Sequence, residues 1–165
     1  MKGGLEVISE MNSLGMIIDV SHLSDGGFYD VAKYSKKPFV ASHSNSRSMC
    51  NHPRNLTDDM IKILATSGGV MGICFEKQFL GSNELSSVSD MVAHIAHIKN
   101  VGGIDCISIG SDFDGISKLG LEIKNIGEIE KLSIALSKNN FSPEQIDKIF
   151  HKNTIRVKKT CFSNI

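Results

Sequence analysis

Two apolar stretches of the chain end in the same way. MIIDVSHLS, residues 16–24, and FVASHSNSR, residues 39–47, each run from strand-forming residues into Ser-His, which places His22 and His43 at matching positions. If the two runs are adjacent parallel strands, about 4.8 Å apart, both imidazoles leave the sheet at one end and converge on a common point. Neutral imidazole is a good zinc ligand, and a carboxylate with an open coordination position completes a hydrolytic centre. One such histidine alone would be read as a hydrogen-bonded structural residue; the repeated register is what favours a metal.

Two further residues fit that chemistry. Asp112, in IGSDFDG, directly follows an apolar run. By itself it is as well read as a turn residue as a proton carrier, but beside a metal pair it is the natural general acid or base. Asp114-Gly115 is read as a plain turn, and an EF-hand calcium loop is excluded because its third acidic position and closing Glu are missing. Arg54 lies in the polar loop after the second run, where its guanidinium can hold a carboxylate in a two-pronged grip; the alternative is an ion pair with Asp58 or Asp59. Of the other histidines, His94 and His97 are expected to be structural or solvated on an outer helix, His52 to be a loop surface residue, and His151 to sit at a helix end. A Gly-rich phosphate loop, a nucleophile elbow and a Ser/His/Asp order are all missing, so nucleotide binding and serine hydrolysis have no support.

The elements that must position these residues alternate regularly. A first helix closes at Gly15, then come a strand over 16–21, a helix from Ser24 to about Ser35, and a strand KPFVAS whose start Pro38 fixes. Thr57 caps the next helix, with Leu56 and Ile61 as a hydrophobic staple and Gly68 as its left-handed stop. GVMGICF, 69–75, is the third strand, Val88 to Val101 a helix, and CISIG, 106–110, the fourth strand. A helix around 125–139 and another opened by FSPEQI close the chain, the latter with Ser142, Pro143 and Gln145 as cap, first residue and capping-box partner. Four βα units with strands this apolar predict a parallel sheet buried on both faces. Either a small doubly wound sheet or part of a (β/α)8 barrel satisfies this; a complete barrel needs about 250 residues. Both place function at the carboxyl ends of the strands.

At 165 residues the chain is one domain, and 18 basic against 18 acidic residues leave no field to attract nucleic acid or acidic lipid. Cys50, Cys74, Cys106 and Cys161 form no CxxC pair and suit buried thiols in a reducing compartment, the cytoplasm. Nothing approaches the roughly 20 apolar residues of a membrane span, and the opening MKGGLEVISEMNSLG is an amphipathic helix rather than a signal peptide.

Taken in order, the blocks DVSHLSDGG, ASHSNSR, PRNLTD, GGVMGICF and IGSDFDG resemble the renal (membrane) dipeptidase family of zinc dipeptidases, binuclear enzymes on an amidohydrolase-like barrel. The resemblance implies that His22 and His43 bind zinc at the ends of strands five and six, that Arg54 grips the dipeptide carboxylate, and that Asp112, after strand eight, handles the proton. The family's His-x-Asp motif on strand one, its bridging Glu on strand three and a substrate-binding His on strand four have no counterpart here. The expectation is therefore a single partial domain over 1–165, the C-terminal half of a (β/α)8 TIM barrel that carries part of the ligand set for two zinc ions. Its partners would be a dipeptide and a missing N-terminal half, or a second copy joined through open strand edges. A non-catalytic fragment of the same fold, or another amidohydrolase-like hydrolase acting on lactones, amides or phosphoesters, is the alternative.

Overall fold

The computed structural model describes residues 2–82 and 84–162. Most of its helices start where a side-chain oxygen can take up a free amide. Helix α1, Lys2–Ser13, ends at Gly15, whose φ of 69° is left-handed. Helix α2, Asp25–Tyr34, is capped by Ser24 accepting from the Gly27 amide, and strand β1, Val40–Ala41, follows. Helix α3, Asp58–Thr66, is capped by Thr57, and the staple residues Leu56 and Ile61 are both buried. After Gly68, at φ 77°, comes β2, Val70–Ile73, then the short α4, Lys77–Leu80, and α5, Val88–Gly102. A 3₁₀ turn at Ile104–Cys106 leads into β3, Ile107–Ile109. A second 3₁₀ turn, Ile126–Glu128, precedes α6, Glu130–Lys138. Helix α7, Pro143–Asp147, opens with the Ser142/Gln145 capping box.

The sheet is parallel in the order β1-β2-β3, with Val40 opposite Val70, Met71 opposite Ile107 and Ile73 opposite Ile109. Every residue of β2 is buried, as expected of a strand with a neighbour on each side and helices over it. Helices α3 and α5 pack together through the fully buried Ile61, Leu64, Ile95 and Ile98. Each such side chain contributes about 1.5–3 kcal/mol by leaving water. Among the described residues no helix is long and apolar enough to cross a membrane.

The structure differs from the expected pattern in two places. Residues 16–21 pair with β1 through a single parallel bridge, Asp19 with Val40, rather than as a full strand. The next bond of a parallel ladder would run from the Ser42 amide to the Val20 carbonyl. That amide instead donates to Asp19 Oδ1 at 2.9 Å, while Val20 O accepts the Leu23 amide in a turn. A side chain has replaced the ladder. The chain then bends so that the Ser42 carbonyl lies over β2 and β3: a Cβ on Gly72 would come within 2.1 Å of it and one on Gly110 within 1.8 Å. The second difference is at the C-terminal helix, which passes through a π turn, Lys148–Lys152, into α8, Asn153–Phe162. His151 therefore lies inside a continuous helical run and not at an end. The extra residue turns Asn153 inward, where its amide nitrogen donates to the carbonyls of Ile104 and Ile107.

Candidate active site

His22 and His43 meet beyond the ends of residues 18–20 and β1. Their Nε2 atoms are 2.9 Å apart and their ring centroids 4.9 Å apart, so both rings present the same nitrogen to one point. Burial holds the His43 ring below the usual histidine range. The charges of Asp112 and Asp19 oppose that and those of Arg54 and His22 add to it, which leaves a neutral ring with ligand character at physiological pH.

Behind His43 lies a chain of polar contacts that pattern reading did not single out. Its Nδ1 is 2.7 Å from Ser42 Oγ, and Ser42 Oγ donates to Asp19 Oδ2. The other oxygen of Asp19 takes the Ser42 and Ser21 amides at 2.9 and 3.1 Å, and Ser21 Oγ accepts the His43 amide at 2.9 Å. Burial raises the Asp19 carboxyl, but the hydrogen bonds from Ser42 and Ser21 outweigh it and hold the group below the ordinary carboxylate value.

Arg54 reaches this region from the loop between β1 and α3. Its Nε donates to the Ser21 carbonyl at 2.9 Å, next to His22, and its guanidinium lies over the Phe79 ring at 5.4 Å. Nη2 is buried without a hydrogen-bond partner. Neither expected carboxylate takes it: Asp58 bonds His97 and Ser48, and Asp59 bonds Tyr29. A buried guanidinium nitrogen with a free donor is a fit for an anion brought by a ligand.

Two fully buried asparagines hold that loop. Asn45 clasps Cys74, donating to its carbonyl at 3.0 Å and accepting its amide at 2.9 Å. Asn55 accepts the Asn45 amide and donates to the carbonyls of Cys50 and Phe79. Arg47 ties the loop to α2 with two 2.8 Å bonds to the Asp25 carboxylate and further bonds to the Asn55 and Pro53 carbonyls. His94, expected to be structural or solvated on an outer helix, is structural and 1% exposed: Nδ1 accepts the Ser46 amide and Nε2 donates to Leu80 O. His52 packs on Phe79 with ring centroids 4.5 Å apart, and its Nδ1 accepts the Arg54 amide.

Asp112 follows β3 and has φ 60°, in the left-handed region. The Gly115 amide closes a turn onto its carbonyl at 2.9 Å, as the Asp-Gly pattern predicts. Phe113 packs edge-on against Phe75 with centroids 5.5 Å apart, anchoring the turn beside the end of β2. The Asp112 charge reaches His43. Thus His22 and His43 are in contact, Arg54 is fastened one residue before His22, and the Asp112 charge favours the protonated form of His43. Among the described residues there is no group of three or more His, Cys, Asp or Glu side chains arranged to hold a metal ion.

This arrangement has relatives. An uncharacterized protein in the pqqA 5′ region of Klebsiella pneumoniae is 36% identical over 160 residues, covering 94% of this chain and 59% of that protein. An uncharacterized dipeptidase of Schizosaccharomyces pombe is 35% identical over 95% of this chain and 39% of its own. Among solved structures, a metallo peptidase from Rhodobacter sphaeroides, liganded with a phosphinate mimic of the dipeptide L-Ala-D-Ala, superposes with a TM-score of 0.92 at 29% identity over 98% of this chain and 47% of that one. The chain thus spans about half the length of the proteins it matches. The membrane dipeptidase model, peptidase family M19, matches residues 2–163, and the chain belongs to that family.

Proposed function

We propose that this chain supplies the C-terminal half, strands five to eight, of a (β/α)8 metallodipeptidase barrel, and with it part of a zinc-dependent centre that hydrolyses dipeptides. The observation that carries the reading is the 2.9 Å approach of the His22 and His43 Nε2 atoms beside the unpaired, buried Arg54 Nη2. Imidazole nitrogens suit zinc, so the donor set fits such an ion in kind, though it is short in number. A bound zinc supplies polarisation of the scissile carbonyl and a lowered pKa for water.

The chain's own residues do the rest. His22 and His43 would hold the ion; Arg54, positioned by Ser21 and Phe79, would bind and orient the carboxylate end of the dipeptide, and Asp112 would carry a proton to the departing amine. Remaining ligands come from another polypeptide segment, and the exposed side of residues 16–20 suits its attachment. A groove of about 430 Å³ between α1 and α2 is lined there by Leu5, Ile8, Met11, Ile18, Leu23 and Val31. Val7, Leu14 and Met16 are each at least half exposed on the adjoining surface. The four free thiols suit a reducing cytoplasm.

The test supplies the N-terminal half of a relative's barrel as a second polypeptide. The complex is expected to retain zinc through dialysis and to cleave dipeptides, with both properties lost in His43→Ala; the chain alone should lose the metal and sediment as a self-associating species. A complex that forms but neither keeps zinc nor cleaves any dipeptide would overturn the reading. In the active complex Arg54→Lys should raise KM for dipeptides more than about tenfold and leave dipeptide amides nearly unaffected, since a point charge replaces a fork.

A further inference from the structure

We propose that Asp19 and Ser42 fix the tautomer of His43, so that its Nε2 lone pair is set toward the metal position before any ion arrives. The inference rests on the reading of His43 as a ligand. The argument is a count of protons. Asp19 takes the Ser42 amide, the Ser21 amide and the Ser42 hydroxyl, and an ionised carboxylate has nothing to donate in return. The single proton of Ser42 Oγ is therefore committed to Asp19, its far shorter contact, with Ser21 Oγ standing off at 3.5 Å. At 2.7 Å from His43 Nδ1 the same oxygen can only accept, so Nδ1 carries the hydrogen. In a neutral ring Nε2 is then bare, and Nε2 is the atom that faces His22 at 2.9 Å.

Three further features agree with this assignment. Ser21 Oγ holds the His43 amide, fixing the backbone on which the ring turns. The Asp19 side chain displaces a sheet hydrogen bond to stand where it does, because Ser42 N–H is given to its carboxylate and not to Val20 O. And the approach of two Nε2 atoms requires one donor and one acceptor: with His43 the acceptor, His22 donates and is the ring that would have to shift its proton to Nδ1 for the pair to hold a cation. Asp19 and Ser42 touch neither substrate nor metal in this scheme; they are positioning residues.

Asp19→Asn is the informative change. Its amide can donate to Ser42 Oγ, which frees the Ser42 proton for His43 Nδ1 and moves the ring hydrogen to Nε2. Ser42→Ala removes the relay and leaves the ring to the mixture free histidine shows. Long-range 1H–15N spectra of the ion-free, 15N-labelled chain, taken above the pH at which the ring titrates, read the tautomer directly. Wild type is expected to show a protonated Nδ1 and a bare Nε2 at His43, Asp19→Asn the reverse. Zinc affinity by chelator competition, in the chain or its complex, should fall about ten- to a hundredfold in Asp19→Asn. A wild-type ring protonated at Nε2, or a ring indifferent to Asp19→Asn, overturns the relay even if zinc binds. A ring protonated at Nδ1 that flips in Asp19→Asn supports the relay even in a chain that binds no zinc, an outcome that would remove the ligand reading alone.

Discussion

The loop after β1 and the turn after β3 both end at the same site, and they are built in opposite ways. Ser44, Asn45, Ser46 and Asn55 are wholly buried, and the loop they belong to is bonded at its root to Cys74, at its flank to α2 and at its tip to α4. Asp112 stands on a short turn whose neighbours Asp114 and Gly115 are exposed, with a backbone angle that L-residues avoid. Arg54 and His43, themselves half-buried, are carried by this buried framework. Asp112, also half-buried, is carried by a strained turn, where the proposed proton role rather than packing explains an aspartate.

The largest effect expected from this contrast is at Asn55. Replacing it with Ala leaves the Asn45 amide and the Phe79 carbonyl without partners and the Cys50 carbonyl with the His52 amide alone. At about 1–3 kcal/mol for each, less what relaxation recovers, the loss should be about 3 kcal/mol or more in urea unfolding, seen as a lower midpoint at unchanged slope. A loss under about 1 kcal/mol would mean that the loop is not held by this residue. Gly72→Ala comes next. Its Cβ would meet backbone at Ser42 O and Gly110 Cα, atoms that cannot swing aside, so about 2–3 kcal/mol is expected, together with displacement of the neighbouring His43 and weaker zinc binding.

Arg47 sharpens the comparison through pH. Its guanidinium holds the Asp25 carboxyl below the usual carboxylate range, with partial burial opposing. An acid stronger in the folded than in the unfolded chain makes its full contribution above the unfolded value of 3.8 and loses it as pH falls through the lower folded one. The pair is half exposed, so Asp25→Asn should cost only roughly 0.5 kcal/mol. Arg47→Ala, which also loses bonds to the Asn55 and Pro53 carbonyls, should cost about 1–2 kcal/mol. The melting difference between wild type and Asp25→Asn should be flat from neutral pH to about pH 5 and vanish in stronger acid. A difference that grows on acidification would assign Asp25 another partner.

Much of this was legible in the sequence because it is local. Ser24, Thr57 and Ser142 cap helices by accepting amides three residues ahead of them, and Gly15 and Gly68 stop helices that end two residues behind; such signals need no tertiary contact. The meeting of His22 and His43, and the places of Arg54 in a loop and Asp112 after a strand, were visible in the pattern. Asn45, Asn55 and His94 were not, since a buried asparagine in a loop has the same sequence appearance as a solvated one until Cys74, Phe79 and Ser46 are brought to it. The Asp19–Ser42 relay depends on the register of two segments more than 20 positions apart, and the π turn at Lys148–Lys152 on the carbonyls of Ile104 and Ile107 meeting Asn153. The register was guessed from a repeated Ser-His; the side chain that interrupts the ladder was not.

Asp112 offers the smallest change in stability and the clearest separation of the two regions. At φ 60° an L-residue is strained by about 1–2 kcal/mol, an aspartate somewhat less, whereas glycine takes the angle freely but gives up more chain entropy on folding. Among the described residues no hydrogen bond ties the Asp112 side chain into the core: its neighbour Gly115 merely leaves room for the carboxylate, since a Cβ there would come within 2.3 Å of Asp112 Oδ1. Asp112→Gly should therefore move the unfolding free energy by less than about 1 kcal/mol, in the stabilising direction, while an active complex bearing it loses dipeptide cleavage. Asp112→Asn, which tolerates the same angle, should leave stability unchanged and cleavage equally impaired, because it keeps the shape and removes the proton carrier. Calorimetry and a dipeptide assay on the same preparations decide it: destabilisation by about 2 kcal/mol or more in either variant would place Asp112 with the buried loop residues and dissolve the contrast between the two strand ends.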